Sequence, residues 1–245
     1  MKKIILPILL SALAHFTLAQ EISENLNSFT RVIASPHVNL ILKKGDQESI
    51  RLVYQNVNSQ KINIEVHHKT LKIFLDEAQH VEKRHDHQNG YGHKSGIYKD
   101  VHITAYVTYK TLTHLEIRGN QELSCLDPVE ADEFTLKAYG ENTITLASLK
   151  TKYFKTSLYG ENKLRIKNGK VLEQRYKLYG ENKINTSELK SSYTSTSIFG
   201  EGDLTVNSSR EIRVSAFGEP TIHVKGGGHI KSNLVFGNAS ITQDK

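Results

Sequence analysis

The chain has 245 residues, enough for one elongated domain or two small ones. Its formal charge is +6, with 32 Lys and Arg interleaved among 26 Asp and Glu, and no basic run marks a nucleic-acid binder. The one cysteine, Cys125, excludes an intramolecular disulfide and is expected to be a small buried residue; with no Trp, bulk must come from Leu, Ile, Val, Tyr and Phe.

The chain opens with MKKIILPILLSALAHFTLAQ. Lys2 and Lys3 precede an apolar run from Ile4 to Leu13, and small residues follow near Ala19. That order reads as a secretory signal peptide over 1–19, cleaved between Ala19 and Gln20. The run is too short to span a bilayer, and no later segment approaches the ~18 apolar residues a membrane helix needs, so no transmembrane segment is expected. No cysteine follows the leader directly, so a lipid anchor there is not expected. The expected location is the periplasm or the cell surface of a Gram-negative bacterium, where nucleic acid is not a partner.

Residues 20–118 alternate apolar and polar side chains in short runs: Val38, Leu40, Leu42; Ile50, Leu52, Tyr54; Ile62, Ile64, Val66; Leu71, Ile73, Leu75; Val101, Ile103, Ala105, Val107. Turn-forming stretches separate them. This predicts a strand-rich module that continues into, or caps, whatever follows, because a stack of strands otherwise ends in a bare edge. A polar, glycine-containing loop interrupts it at 77–100. The loop carries His80, His85, His87 and His93 beside Asp86. Imidazoles with a carboxylate can bind Zn²⁺. A loop without fixed geometry predicts weak adventitious binding or none.

From 119 to 245 the chain repeats itself. Gly119, Gly140, Gly160, Gly180, Gly200, Gly218 and Gly237 follow at steps of 21, 20, 20, 20, 18 and 19. Four residues after each glycine stands Leu or Ile. Two before it, from the second glycine on, stand Ala138, Leu158, Leu178, Ile198, Ala216 and Val235. Apolar positions two apart are the period of a strand. One such unit buries four or five aliphatics, worth about 10 kcal/mol, while ordering its backbone costs at least about twice that. Stacking shares each buried face between neighbours, which predicts an all-β solenoid of parallel strands with about 20-residue coils over 119–245. Glycine recurs where each coil turns its corner. Asn142, Asn162 and Asn182 then predict an amide ladder from coil to coil.

Two further columns follow. The residue before each glycine is aromatic: Tyr139, Tyr159, Tyr179, Phe199, Phe217 and Phe236. Strict alternation points these rings outward, as a stripe that could stack on sugars or receive a protein; a corner that lets both residues face inward would bury them as an aromatic stack instead. The residue after it is Glu141, Glu161, Glu181, Glu201 or Glu219. Carboxylates one rung apart repel by about 1 kcal/mol in water. Lateral pairing with Lys137, Lys163, Lys177 and Lys183 would offset this; Ca²⁺ would be the alternative. No catalytic motif stands out, and Asp127, Asp132, Asp203 and Asp244 share no column one coil apart, so no enzyme is expected.

Taken together, Phe29 to Val32, Val38 to Gly45 and the glycine-centred coils resemble the autotransporter adhesin head domain, or GIN domain, family of exported bacterial proteins, over residues 29–243. The resemblance implies a right-handed parallel β-helix. It departs from the family in carrying Tyr or Phe before the glycine, where a small residue such as Ser is usual. With no translocator barrel after residue 245, self-export is not expected. The expected function is a non-catalytic exported binding or structural module of the cell envelope, adhesin-like toward a glycan or an envelope protein through the aromatic stripe, with no required cofactor. The competing readings are a polysaccharide-active β-helix enzyme and a scaffold that self-associates through its last coil near Gly237.

Overall fold

The computed structural model describes residues 19–82, 84–85 and 95–244. The leader over 1–18, and His87 and His93 of the histidine loop, lie outside the described residues. The described chain is nearly all strand, wound into a parallel β-solenoid of about 6 turns.

The elements in chain order are β1 (Gln20–Asn25), β2 (Arg31–Ala34), β3 (Val38–Lys44), β4 (Ser49–Gln55), β5 (Ile62–His67), β6 (Thr70–Leu75), β7 (Arg84–His85), β8 (Ser95–Gly96), β9 (His102–Tyr109) and β10 (His114–Gly119). The coils follow as β11 (Glu122–Gly140), β12 (Thr143–Gly160), β13 (Lys163–Ile166), β14 (Gly169–Tyr179), β15 (Asn182–Lys225), β16 (His229–Phe236) and β17 (Ser240–Gln243).

Rung stacks on rung in the register the repeat predicts. Gly140 lies opposite Gly160, Ile144 opposite Leu164, and Leu158 opposite Leu178. The columns four residues after and two before the glycines are buried, as strand alternation requires, until the last rung. Cys125 is buried in the same core, beside the Tyr109 hydroxyl at 3.4 Å, and burial pushes its thiol pKa up.

The corner explains the glycine. All seven have positive φ, from 93° at Gly180 to 132° at Gly218. At Gly160 a Cβ would also stand 2.4 Å from the Gly140 carbonyl oxygen. Two constraints therefore select glycine: backbone conformation and the close approach of the rung before.

The N-terminal module shares the sheet and the core of the coils. Strands β2 and β3 form a rung that pairs in parallel with β10 and β11 on one side and with β6 and β9 on the other. The chain thus enters the solenoid one rung in, doubles back, and returns through β10. Antiparallel β5 covers β6, and antiparallel β4, then β1, cover β9. The module is both continuation and cap: reversed strands satisfy the ladder hydrogen bonds of the first rung and end the parallel stack.

At the other end β16 and β17 pair only with β15 among the described residues. Leu234, Val235 and Phe236 are 48 %, 37 % and 58 % exposed there, because no further rung covers them.

One stretch of the interior is polar. Gln174, wholly buried, donates from Nε2 to Ser191 Oγ, Thr194 Oγ1 and the Asn207 carbonyl, and its Oε1 accepts from the Tyr176 hydroxyl at 2.8 Å. The alternation rule finds the inward positions here but not the network that satisfies them.

Candidate functional site: the glycine corner

Three side-chain columns meet along the corner. The first is the aromatic one. Centroids of Tyr139, Tyr159, Tyr179, Phe199 and Phe217 follow at 5.0, 4.8, 4.9 and 4.9 Å, with rings within 4° of parallel. Phe236 continues the ladder at 5.4 Å and 24°. The spacing is that of the strands, because each ring is carried at the same register on successive rungs. Rings at such separations attract by about 0.5–1.5 kcal/mol per pair beyond their burial.

The column is neither a flat outward stripe nor a buried stack. Tyr159 and Phe199 are 36 % and 38 % exposed, and Tyr139, Tyr179 and Phe217 are half-buried. Every ring from Tyr159 to Phe217 has a neighbouring ring on both faces, so ring edges meet the solvent along most of the ridge.

Sequence reasoning missed how the ladder begins. Arg118 precedes the first glycine at the same register, and its guanidinium carbon lies 5.8 Å from the Tyr139 centroid. Arg118 is held in turn. Its Nε donates to Glu116 Oε1 at 2.8 Å, Nη2 contacts the same oxygen, and Nη1 donates to the Gln79 carbonyl and touches His80 Nδ1. Glu116 is buried, with His114 Nε2 3.6 Å from Oε2, ion-pair range but long for a hydrogen bond. Burial alone would raise its pKa; His114 and Arg118 outweigh that and hold it at about 2. Burial also raises the Tyr139 pKa, with the Glu116 charge adding to it. The signal was available: continuing the column before Gly119 one step further gives a cation over the first ring.

The second column is acidic. Glu141, Glu161, Glu181, Glu201 and Glu219 are exposed, and the first three line a polar recess of about 320 Å³ with Asn120, Lys163 and Lys183. Of the expected lysine pairings, Lys183 to Glu181 at 4.0 Å is the one present among the described residues. The column ends on amides: Asn120 Nδ2 stands 3.5 Å from Glu141 Oε2, and Asn238 Nδ2 donates to Glu219 Oε1 at 3.2 Å. These donors extend the column register by one rung each way.

The third column lies beneath. Asn142, Asn162 and Asn182 are buried, and each donates Nδ2 to the carbonyl of the tyrosine three residues earlier. Asn142 and Asn162 also donate Nδ2 to the next rung's Oδ1, at 2.9 and 3.1 Å. The ladder ties the ring-bearing backbone to the core.

Of the loop histidines, His80 sits against Arg118 and His85 lies in β7. Among the described residues, no three His, Cys, Asp or Glu side chains converge as a metal site, and no helix is long and apolar enough to cross a membrane. Of the coil aspartates, Asp127 accepts from the Lys44 backbone N–H at 2.8 Å and Asp132 pairs with Lys152 at 2.9 Å.

The model of the family described as "putative auto-transporter adhesin, head GIN domain" matches residues 28–228. Among solved structures, the chain is similar to a putative adhesin from Bacteroides fragilis, with TM-score 0.73 and 17 % identity over 94 % of this chain and 98 % of that one. A putative adhesin from Parabacteroides merdae gives 0.68 and 14 % over 93 % and 96 %. A putative lipid binding protein from Parabacteroides distasonis gives 0.64 and 14 % over 93 % and 97 %. At these identities the likeness is one of fold. No curated protein matches the chain.

Proposed function

Because the chain belongs to the auto-transporter adhesin head GIN domain family, we propose that it is an exported, non-catalytic binding module of the bacterial envelope that engages its partner along the aromatic ridge. The leader-like first nineteen residues and the family support export, to the periplasm or the cell surface. The observation that carries the binding reading is the six-ring ladder, half-exposed along the whole corner and anchored from below by the asparagines. A ridge of ring edges, with tyrosine hydroxyls on its first three rungs, suits a partner that runs along the solenoid axis. Inner rings paired on both faces leave little room for a sugar to stack face-on, which favours an envelope protein over a glycan.

The test is a screen of envelope fractions and glycans with the chain and its Tyr159→Ser/Tyr179→Ser variant. Loss of capture in the variant, with Tyr159→Phe still binding, is the expected outcome. Unchanged capture by the serine variant would remove the ridge as the site.

Self-association is a second reading, supported by the exposed run Leu234, Val235 and Phe236 on an edge with one strand partner. The N-terminal end is finished by antiparallel β1 and β5, whose direction does not match the parallel stack, so a closed tail-to-tail dimer through the last rung is the form proposed.

A further inference from the structure

A second surface lies on the far side of each coil. Lys150, Lys170 and Lys190 stand ten residues beyond Gly140, Gly160 and Gly180. The register places Lys150 opposite Lys170 and Lys170 opposite Lys190. All three are exposed, and rungs follow at about 4.8 Å. They line an open groove of about 860 Å³ whose other walls include Val171, Leu172 and Ser192. Leu172 is 45 % exposed within it, although it lies in mid-strand.

Acids flank the file at both ends, and the exposed Glu188, two residues before Lys190, accepts from Ser187 Oγ at 3.3 Å. Glu130 is shared between Lys44 at 3.1 Å and Lys150 at 3.9 Å, and Asp132 takes Lys152 at 2.9 Å. Lys170 and Lys190 have no ion pair or side-chain hydrogen bond among the described residues. Three like charges in file, two of them uncompensated, beside an exposed apolar side chain form a surface complementary to a linear chain with anionic groups and apolar ring faces.

We propose that this groove binds a linear acidic polysaccharide, with carboxylates on the lysine file and a sugar ring against Leu172. The proposal goes beyond the ridge reading and stands apart from it, because the ridge residues take no part in this surface. Loss of one site leaves the other measurable. The groove is open to solvent and encloses no chamber for an acyl chain, which is why a polysaccharide is chosen over a lipid.

The experiment titrates the chain with polygalacturonate at low ionic strength, with neutral dextran as the comparison polymer. Binding to polygalacturonate alone, weakening as salt rises, is expected. Lys170→Glu/Lys190→Glu should lower the affinity by about tenfold or more. Lys43→Glu/Lys99→Glu, the same change of net charge at exposed sites elsewhere, should leave it within about twofold. If the first pair disturbs the circular dichroism spectrum, Lys170→Gln/Lys190→Gln replaces it, with a smaller loss expected. No binding, equal loss in the two glutamate pairs, equal binding of dextran, or a preference for anionic phospholipid vesicles over the polymer would each overturn the assignment.

Discussion

The side-chain carbonyl of Asn162 accepts from Asn142 twice: from Nδ2 at 2.9 Å and from the backbone N–H at 3.3 Å. Both residues are buried beneath the aromatic ridge. Asn162→Ala removes that acceptor from both Asn142 donors, and removes the Nδ2 donor to the Tyr159 carbonyl and to Asn182 Oδ1, which keeps only the backbone N–H of residue 162. A loss of about 2–4 kcal/mol is expected, read as a lowered urea midpoint. The same substitution at Asn182 removes an acceptor from one neighbour and should cost less. Equal midpoints for the two variants would mean the ladder adds nothing beyond local burial.

Gly160 and Gly227 both have positive φ, 104° and 71°, but a Cβ at Gly227 meets nothing within 4 Å. Gly227→Ala should therefore cost only the backbone strain, about 1 kcal/mol. Gly160→Ala adds a clash with the Gly140 carbonyl and should cost more than about 2 kcal/mol. Thermal unfolding of the two variants measures the difference, which isolates rung-to-rung approach from conformation.

Tyr159 stacks on Tyr139 and Tyr179. Replacing it by Ser removes two ring pairs and should lower stability by about 1–3 kcal/mol, whereas Tyr159→Phe should stay within about 0.5 kcal/mol. Chemical denaturation of the pair separates ring stacking from the hydroxyl, so a binding loss seen with Ser alone can be assigned to the rings.

Glu116 is held at about 2 in the folded chain, against about 4.3 when unfolded. A depressed carboxylate contributes stability above its unfolded pKa and loses it as pH falls through the folded value. The contribution, about 3 kcal/mol, should disappear between roughly pH 4.3 and 2. Stability against pH for Glu116→Gln should be flatter across that window than for the parent. Parallel curves would show that Arg118 and His114 do not hold this charge.

The exposed edge predicts concentration dependence. Light scattering coupled to size exclusion should show a dimer that Leu234→Lys/Val235→Lys converts to monomer. A chain that stays monomeric at high concentration would rule out association through this rung.

The period and the columns were legible in the sequence because they are local and repeated. Strand alternation assigns each side chain a direction, a corner needing positive φ assigns the glycine, and a 20-residue step carries like residues to like positions. The ring ladder and the asparagine ladder follow from that alone. The lysine file repeats at the same step and could have been read the same way. Other features depended on which segments became neighbours. No local pattern tells that β2 and β3 form the second rung and not the first; that depends on where the β4, β5 and β6 excursions fold back. The hold on Arg118 itself follows from the same rung order, which brings Gln79 and His80 onto its guanidinium. Whether the rings would offer faces or edges was likewise decided in three dimensions, because a ring's free surface is what its neighbours leave uncovered.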